Sequence, residues 1–331
     1  MIIDLHTHVW TSLAQLGDEL AGRLCASPLG GSGRLDASPA GHDRSMSCVD
    51  GSMVLGFRSD RLGARIPNEF IAEFASKDPR RRVGVAGVDP MSDDALDQVE
   101  RTVGLGLVGV TVSPACQGFH PAHSAALRVY ERCEALSLPL FVTQGVPAGV
   151  GPGLGAPLSA NAVLEFARPG PWDEVARAFP NLPIVIGQLG YPWIDETLVL
   201  LGKHRNVYAD ISGVASRPWQ LYNALVSASS LGVMDKLLFG SGFPGDSPVK
   251  VIEALYSVNT YSHGTHLPSV PRSLIRGIVE RDSLSCLGID SEICPRQGQE
   301  TPVEEEPLVT VVQPRTNLEA ATEAPPAGPG R

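Results

Sequence analysis

Two histidines stand two residues apart near the start of the chain, in "MIIDLHTHVW". On an extended segment His6 and His8 point to one side, because side chains alternate along a strand. Two imidazoles on one side are half of a site for a divalent metal such as zinc. Catalysis there needs at least one further protein ligand and an activated water. By the same alternation Asp4 falls on the face of His6 and His8. It would either orient an imidazole or stand as a buried structural carboxylate.

The elements that must place these groups are legible as eight short apolar runs: "IIDL", "SMVLGF", "RVGVAGVDP", "VGVTVSP", "LPLFVTQG", "LPIVIGQLG", "NVYADISG" and "KLLFGSGFP". Segments with helical spacing lie between them. "PNEFIAEFASKDP" is bounded by proline at both ends. "SDDALDQVERTVG" has Ser92 as its expected N-cap, and "PWIDETLVLLGKH" starts on proline and ends on basic residues. In "PAHSAALRVYERCEALSL", Leu127, Tyr130, Cys133 and Leu136 recur every third residue. Eight strand–helix alternations predict a single-domain (β/α)8 TIM barrel, whose catalytic residues sit at the C-terminal strand ends. An open doubly wound sheet would need a glycine-rich phosphate loop after its first strand, and "DLHTHVW" is not one. A short helix over 12–24 is expected, then a long Gly/Ser-rich loop over 27–51, read either as a lid over the mouth or as a plain insertion.

Composition bounds the remaining classes. The chain of 331 residues carries a net charge of -10 and no basic run, which argues against nucleic acid as a partner. No apolar stretch approaches the roughly 18 residues of a membrane span. The first apolar run is too short for a secretory signal, so a cytoplasmic protein is the expectation. The six cysteines show no CxxC spacing, hence neither a zinc ribbon nor a disulfide framework. From Pro295 the composition shifts to proline and glutamate without any aromatic residue. The barrel is therefore placed at 1–290 and a disordered tail at 291–331.

The runs from "IIDLHTHVW" through "LPIVIGQLGYPWIDETLVLLGKHRNVYADISG" to "DKLLFGSGFP" resemble, in order and spacing, the amidohydrolase-related family, which includes the aminocarboxymuconate-semialdehyde decarboxylase-like enzymes. The likeness extends from residue 2 to about residue 289. It implies a divalent metal, usually zinc, at the barrel mouth. The ligands would be the His-x-His of strand 1, a histidine ending strand 5 and an aspartate ending strand 8, with a histidine ending strand 6 assisting. The implied reactions are hydrolysis or non-oxidative decarboxylation of small carboxylated compounds, and the implied assembly is a homodimer. His6 and His8 match that pattern. The strand 5 position is Thr143, the strand 6 position Gln188 and the strand 8 position Gly242. Three neutral residues thus stand where the resemblance places two imidazoles and a carboxylate, which leaves the expected zinc weakly held or absent.

The leading expectation is therefore a barrel with lost or reduced activity that binds a small molecule at its mouth, or a partner through the tail. The alternative is an active metal-dependent hydrolase or carboxy-lyase with a rebuilt site. His120 and His123, in the loop after strand 4, would then join His6 and His8, unless both simply begin a solvated helix. Asp210, ending strand 7, is a candidate base or ligand, or else an acceptor of backbone N–H groups. His263 and His266 belong on the face opposite the mouth. His42 and His204 are expected in solvent.

Overall fold

The computed structural model describes residues 1–26, 35–143 and 161–293. The expected tail beyond residue 293 and the first part of the 27–51 insertion lie outside the described residues. Each of the eight apolar runs forms a strand. They are β1 (Ile3–Thr7), β2 (Gly51–Leu55), β3 (Arg82–Gly87), β4 (Val110–Val112), β5 (Leu140–Val142), β6 (Ile184–Ile186), β7 (Val207–Asp210) and β8 (Leu237–Leu238). Each pairs in parallel with the next in chain order. Backbone bonds then join the end of the sheet to its beginning: Leu5 N–H donates to the Phe239 carbonyl at 3.0 Å, Gly242 N–H to His6 at 2.9 Å and His8 N–H to Phe243 at 3.0 Å. The fold is a (β/α)8 barrel, as expected. No helix of the described residues is long and apolar enough to cross a membrane.

Two apolar layers hold the barrel. Ile3, Leu5, Met53, Leu55, Val83, Val85, Phe141, Val185 and Leu238 gather on the inner side. Their alternating neighbours, such as Val54, Ala86, Val142 and Ile186, pack outward against helix residues including Ile71, Phe74, Val99 and Val129. That period of two is the strand signature. Burying each large aliphatic side chain contributes roughly 1.5–3 kcal/mol, before ordering entropy is counted against it.

Strand β1 breaks the alternation. Its register against β2 shifts between Asp4 and Thr7. A bulge of this kind places Leu5 in the inner layer and still turns His6 and His8 inward, while Thr7 turns outward. The expectation that Asp4 shares the histidine face fails for this reason. Its Oδ1 accepts the backbone N–H groups of His6 (3.1 Å) and Ser241 (2.8 Å), and its Oδ2 has no hydrogen-bond partner among the described residues. Asp4 is a structural carboxylate at the seam between β1 and β8.

From residue 35 on, the insertion after β1 contains regular structure. Pro39–Ser45 is a helix capped by Ser38, whose side chain accepts from Gly41 N–H. His42 on this helix is fully buried, not solvated. Its Nε2 lies 3.1 Å from Thr7 Oγ1, and its ring meets Phe74 and Phe243 edge-on at 5.2 and 5.4 Å. His204 is also buried, with Nε2 2.7 Å from Asp173 Oδ1. The helix expected to start on Ser92 starts instead at Ala95 with Asp94 as cap, because Ser92 Oγ donates to the Asp89 carbonyl. A two-stranded hairpin, Arg58–Ser59 with Ala64–Arg65, was not anticipated.

Burial, and then the positive charge of Arg82, hold His42 down at about 3, against an ordinary 6.5. The unfolded chain therefore takes up a proton first as pH falls below about 6.5, and stability drops from there towards pH 3. At pH 5 this one group costs roughly 2 kcal/mol. His42→Gln keeps a donor for Thr7 and cannot titrate. Urea denaturation at pH 7.5 and 5 should show a pH-dependent loss smaller by about that amount in the variant. Equal losses in the two proteins would sink the assignment.

Candidate functional site

At the C-terminal strand ends His6 and His8 stand with ring centroids 5.2 Å apart and their planes at 77°. They are 1% and 0% exposed. His8 Nδ1 lies 2.9 Å from the Leu55 carbonyl. A carbonyl only accepts, so Nδ1 carries the proton and, in the neutral ring, Nε2 carries the lone pair. His6 Nδ1 lies 2.9 Å from Asp210 Oδ2 and donates to it. The two Nε2 atoms then face each other at 3.3 Å.

Asp210 ends β7 and is the hub of the site. Besides His6, its Oδ1 accepts from Gln188 N–H at 3.1 Å, from Ser212 N–H at 2.9 Å and from the Ser212 hydroxyl. Burial pushes this carboxyl up, but its partners, His6 foremost, prevail and hold it below the ordinary range. For His6, burial pulls down and the Asp210 carboxylate more than compensates, so the imidazole is held above its ordinary value. Burial, and then the His6 charge, drive His8 down to about 3. Asp210 thus favours a proton on His6 over one on His8, and the two Nε2 atoms lie within hydrogen-bond distance of each other.

The ends of β5, β6 and β8 are neutral. Thr143, after β5, donates its hydroxyl to the Val112 carbonyl at 3.4 Å, and its own carbonyl accepts from Ser113 Oγ at 3.0 Å. Gln188, after β6, adopts φ 56°, and Leu189 follows at φ 51°. Two successive non-glycine residues in the left-handed region cost of order 1–3 kcal/mol each, held by the surrounding bonds. Gly242, after β8, has φ 75° and uses its N–H to close the barrel onto His6. His120 and His123 are exposed, and each Nδ1 accepts a local backbone N–H. They do not join His6 and His8, and among the described residues no three His, Cys, Asp or Glu side chains are placed to hold an ion.

A family model described as amidohydrolase matches residues 3–260. The chain belongs to the amidohydrolase family. No curated protein matches the sequence. An uncharacterized TIM-barrel protein of Bordetella bronchiseptica superimposes with a TM-score of 0.63 at 16% identity, over 87% of this chain and 99% of that one. An amidohydrolase of Burkholderia multivorans with bound zinc gives 0.61 at 14% identity, over 88% and 100%. A dihydroxybenzoic acid decarboxylase of a Polaromonas species, with bound manganese and 2-nitroresorcinol, gives 0.55 at 18%, over 87% and 96%. At such identities the shared property is the fold, and a divalent metal is the family's expectation.

Tested against that expectation, the amidohydrolase barrel fits halfway. Two imidazole nitrogens each about 2.05 Å from a tetrahedral zinc lie about 3.3 Å apart, the Nε2 separation seen here. Both rings also have Nδ1–H tied to an acceptor, as metal-ligating histidines do. Among the described residues the remaining corners have no comparable donor. Asp210 spends its oxygens on His6, Gln188 and Ser212. Among the described residues no three-ligand catalytic site is completed.

Three contributors escaped the sequence reading. Ser212 lies two residues after Asp210, a spacing typical of side chain-to-backbone turns, and that was its available signal. Gly187 and Gly240 make room for the His6 ring: an added Cβ would meet His6 Cε1 at 3.3 Å from Gly187 and His6 Cβ at 3.0 Å from Gly240. Asp210→Asn removes the charge that His6 requires and should cost about 3 kcal/mol in urea denaturation. Ser212→Ala removes one hydrogen bond and should cost about half that. If Asp210→Asn costs no more than Ser212→Ala, Asp210 is not the hub.

Proposed function

We propose that this amidohydrolase-family barrel binds a small molecule at its mouth and has lost, wholly or largely, the metal-activated hydrolysis or decarboxylation of its relatives. The observation that carries the reading is the donor set. Two buried imidazoles face each other, while Thr143, Gln188 and Gly242 offer no anion or imidazole at the other strand ends. An ion held by two neutral rings alone lacks the anchoring that lowers the pKa of bound water to about 7. Neither partner of the buried Asp210–His6 pair is free to act as a general base, because each is engaged by the other. A second reading, an active enzyme whose metal is completed by water or substrate, draws support from the Nε2 separation of 3.3 Å.

Metal analysis of protein purified without chelator separates the two. We expect near-zero zinc and manganese, and no change in Tm on adding chelator. Stoichiometric metal that disappears in His8→Ala would overturn the proposal. The combined Thr143→His, Gln188→His and Gly242→Asp variant should take up metal that the parent does not. The aspartate would enter at φ 75°, a region that Asp tolerates better than most residues. A folded variant that binds no more than the parent would show that these are not the vacated ligand positions.

A further inference from the structure

A cleft of about 510 Å³ opens between the insertion after β1 and the loop after β8. This is within the size range of small-molecule sites. One wall carries Leu35 and Arg44, the other Phe243, Asp246 and Lys250. Neither His6 nor His8 lines it.

The charges on its walls are unequally engaged. Arg44 Nη2 is bound to Asp36 Oδ2 at 2.5 Å, and the other Asp36 oxygen accepts from Ser38, so that pair is largely satisfied internally. Lys250 makes no hydrogen bond or ion pair among the described residues, which leaves three N–H donors open. Asp246 uses Oδ1 on the Ser247 N–H at 2.9 Å and leaves Oδ2 open. It sits four residues before Lys250, whose charge acts on it without closing an ion pair. Phe243, on the wall of these two charges, and Leu35, on the opposite wall, supply the apolar lining of the cleft. A ligand of a single charge would satisfy one of the open groups and be repelled by the other.

We propose that this cleft binds a free α-amino acid with a large apolar side chain. Its carboxylate lies on Lys250 with Arg44 at the rim, its ammonium on Asp246, and its side chain against Phe243 and Leu35. The inference deepens the ligand-binding reading above by naming a ligand class and moving the pocket from the strand-end imidazoles to the rim.

Isothermal titration of the full chain with L-leucine tests it, with 4-methylpentanoate (no ammonium) and 3-methylbutylamine (no carboxylate) as controls. Leucine should bind at least tenfold more tightly than either control. Lys250→Met should weaken leucine at least tenfold and leave the amine unchanged; Asp246→Asn should weaken leucine and leave the carboxylate unchanged. Both positions are at the surface, and an unchanged Tm confirms folding. Absence of leucine binding, or equal binding by parent and Lys250→Met, would overturn the proposal. That failure alongside near-zero metal would leave the reading of lost metal chemistry standing, whereas stoichiometric zinc would remove that reading and leave the cleft to be judged on leucine alone.

Discussion

A carboxylate at 2% exposure stays ionised only where the protein replaces the water it has lost. At Asp210 the replacement comes from four groups on three strand ends: the His6 imidazole of β1, the Gln188 amide after β6, and the Ser212 amide and hydroxyl after β7. The carboxylate in turn fixes what surrounds it. It sets the His6 tautomer, helps hold Gln188 in a left-handed backbone, and packs beside Gly240, where a Cβ would come within 3.4 Å of it. His8 is tied to the same system through His6 and fastened to β2 by the Leu55 carbonyl. The polar mouth of the barrel is one connected network, and such networks are strong when satisfied and costly when cut.

Much of the scaffold could be read from residue pattern. The eight apolar runs became the eight strands, because a buried parallel sheet needs near-continuous apolar stretches and little else resembles them. The paired histidines fell at a strand end, where their spacing pointed. What escaped the pattern was set by contacts distant in sequence. The register shift in β1 rotates Asp4 away from the imidazoles, and no alternation rule foresees a bulge. His42 lies in a Gly/Ser-rich stretch that reads as solvent-facing. It is buried because Thr7, Phe74 and Phe243 form a socket for it from three other parts of the chain. His204 ends a helix, and only the distant Asp173 makes its burial tolerable.

His42 also bears on how the insertion is held. Its helix is only seven residues, too short to persist alone. The His42–Thr7 contact and the ion pair of Asp43 with Arg82, at 2.7 Å, pin it to β1 and β3. Thr7 lies between the two mouth histidines on the opposite side of the strand, so the insertion is anchored on the same segment that carries them. The rim cleft is bounded by that helix on one side and by the end of the β8 loop on the other. Its shape therefore depends on the anchoring.

The asymmetry between what the mouth keeps and what it lacks then follows from cost. A strand-end group that faces an open mouth can be replaced by a neutral residue without stranding a charge. Thr143 passes its hydroxyl to a neighbouring carbonyl, Gln188 serves Asp210 through its backbone, and Gly242 contributes only an amide and a turn. His6 has no such freedom. Removing it would leave the Asp210 carboxylate buried without its cation, a penalty of about 3–5 kcal/mol for a pair broken from one side. His8 is held less tightly, through one carbonyl and its contact with His6. Among the described residues the two imidazoles stand without a third ligand, and the Asp210 network gives a reason internal to the barrel for keeping them. Their presence, taken alone, is accounted for by the integrity of the strand ends, with or without a metal.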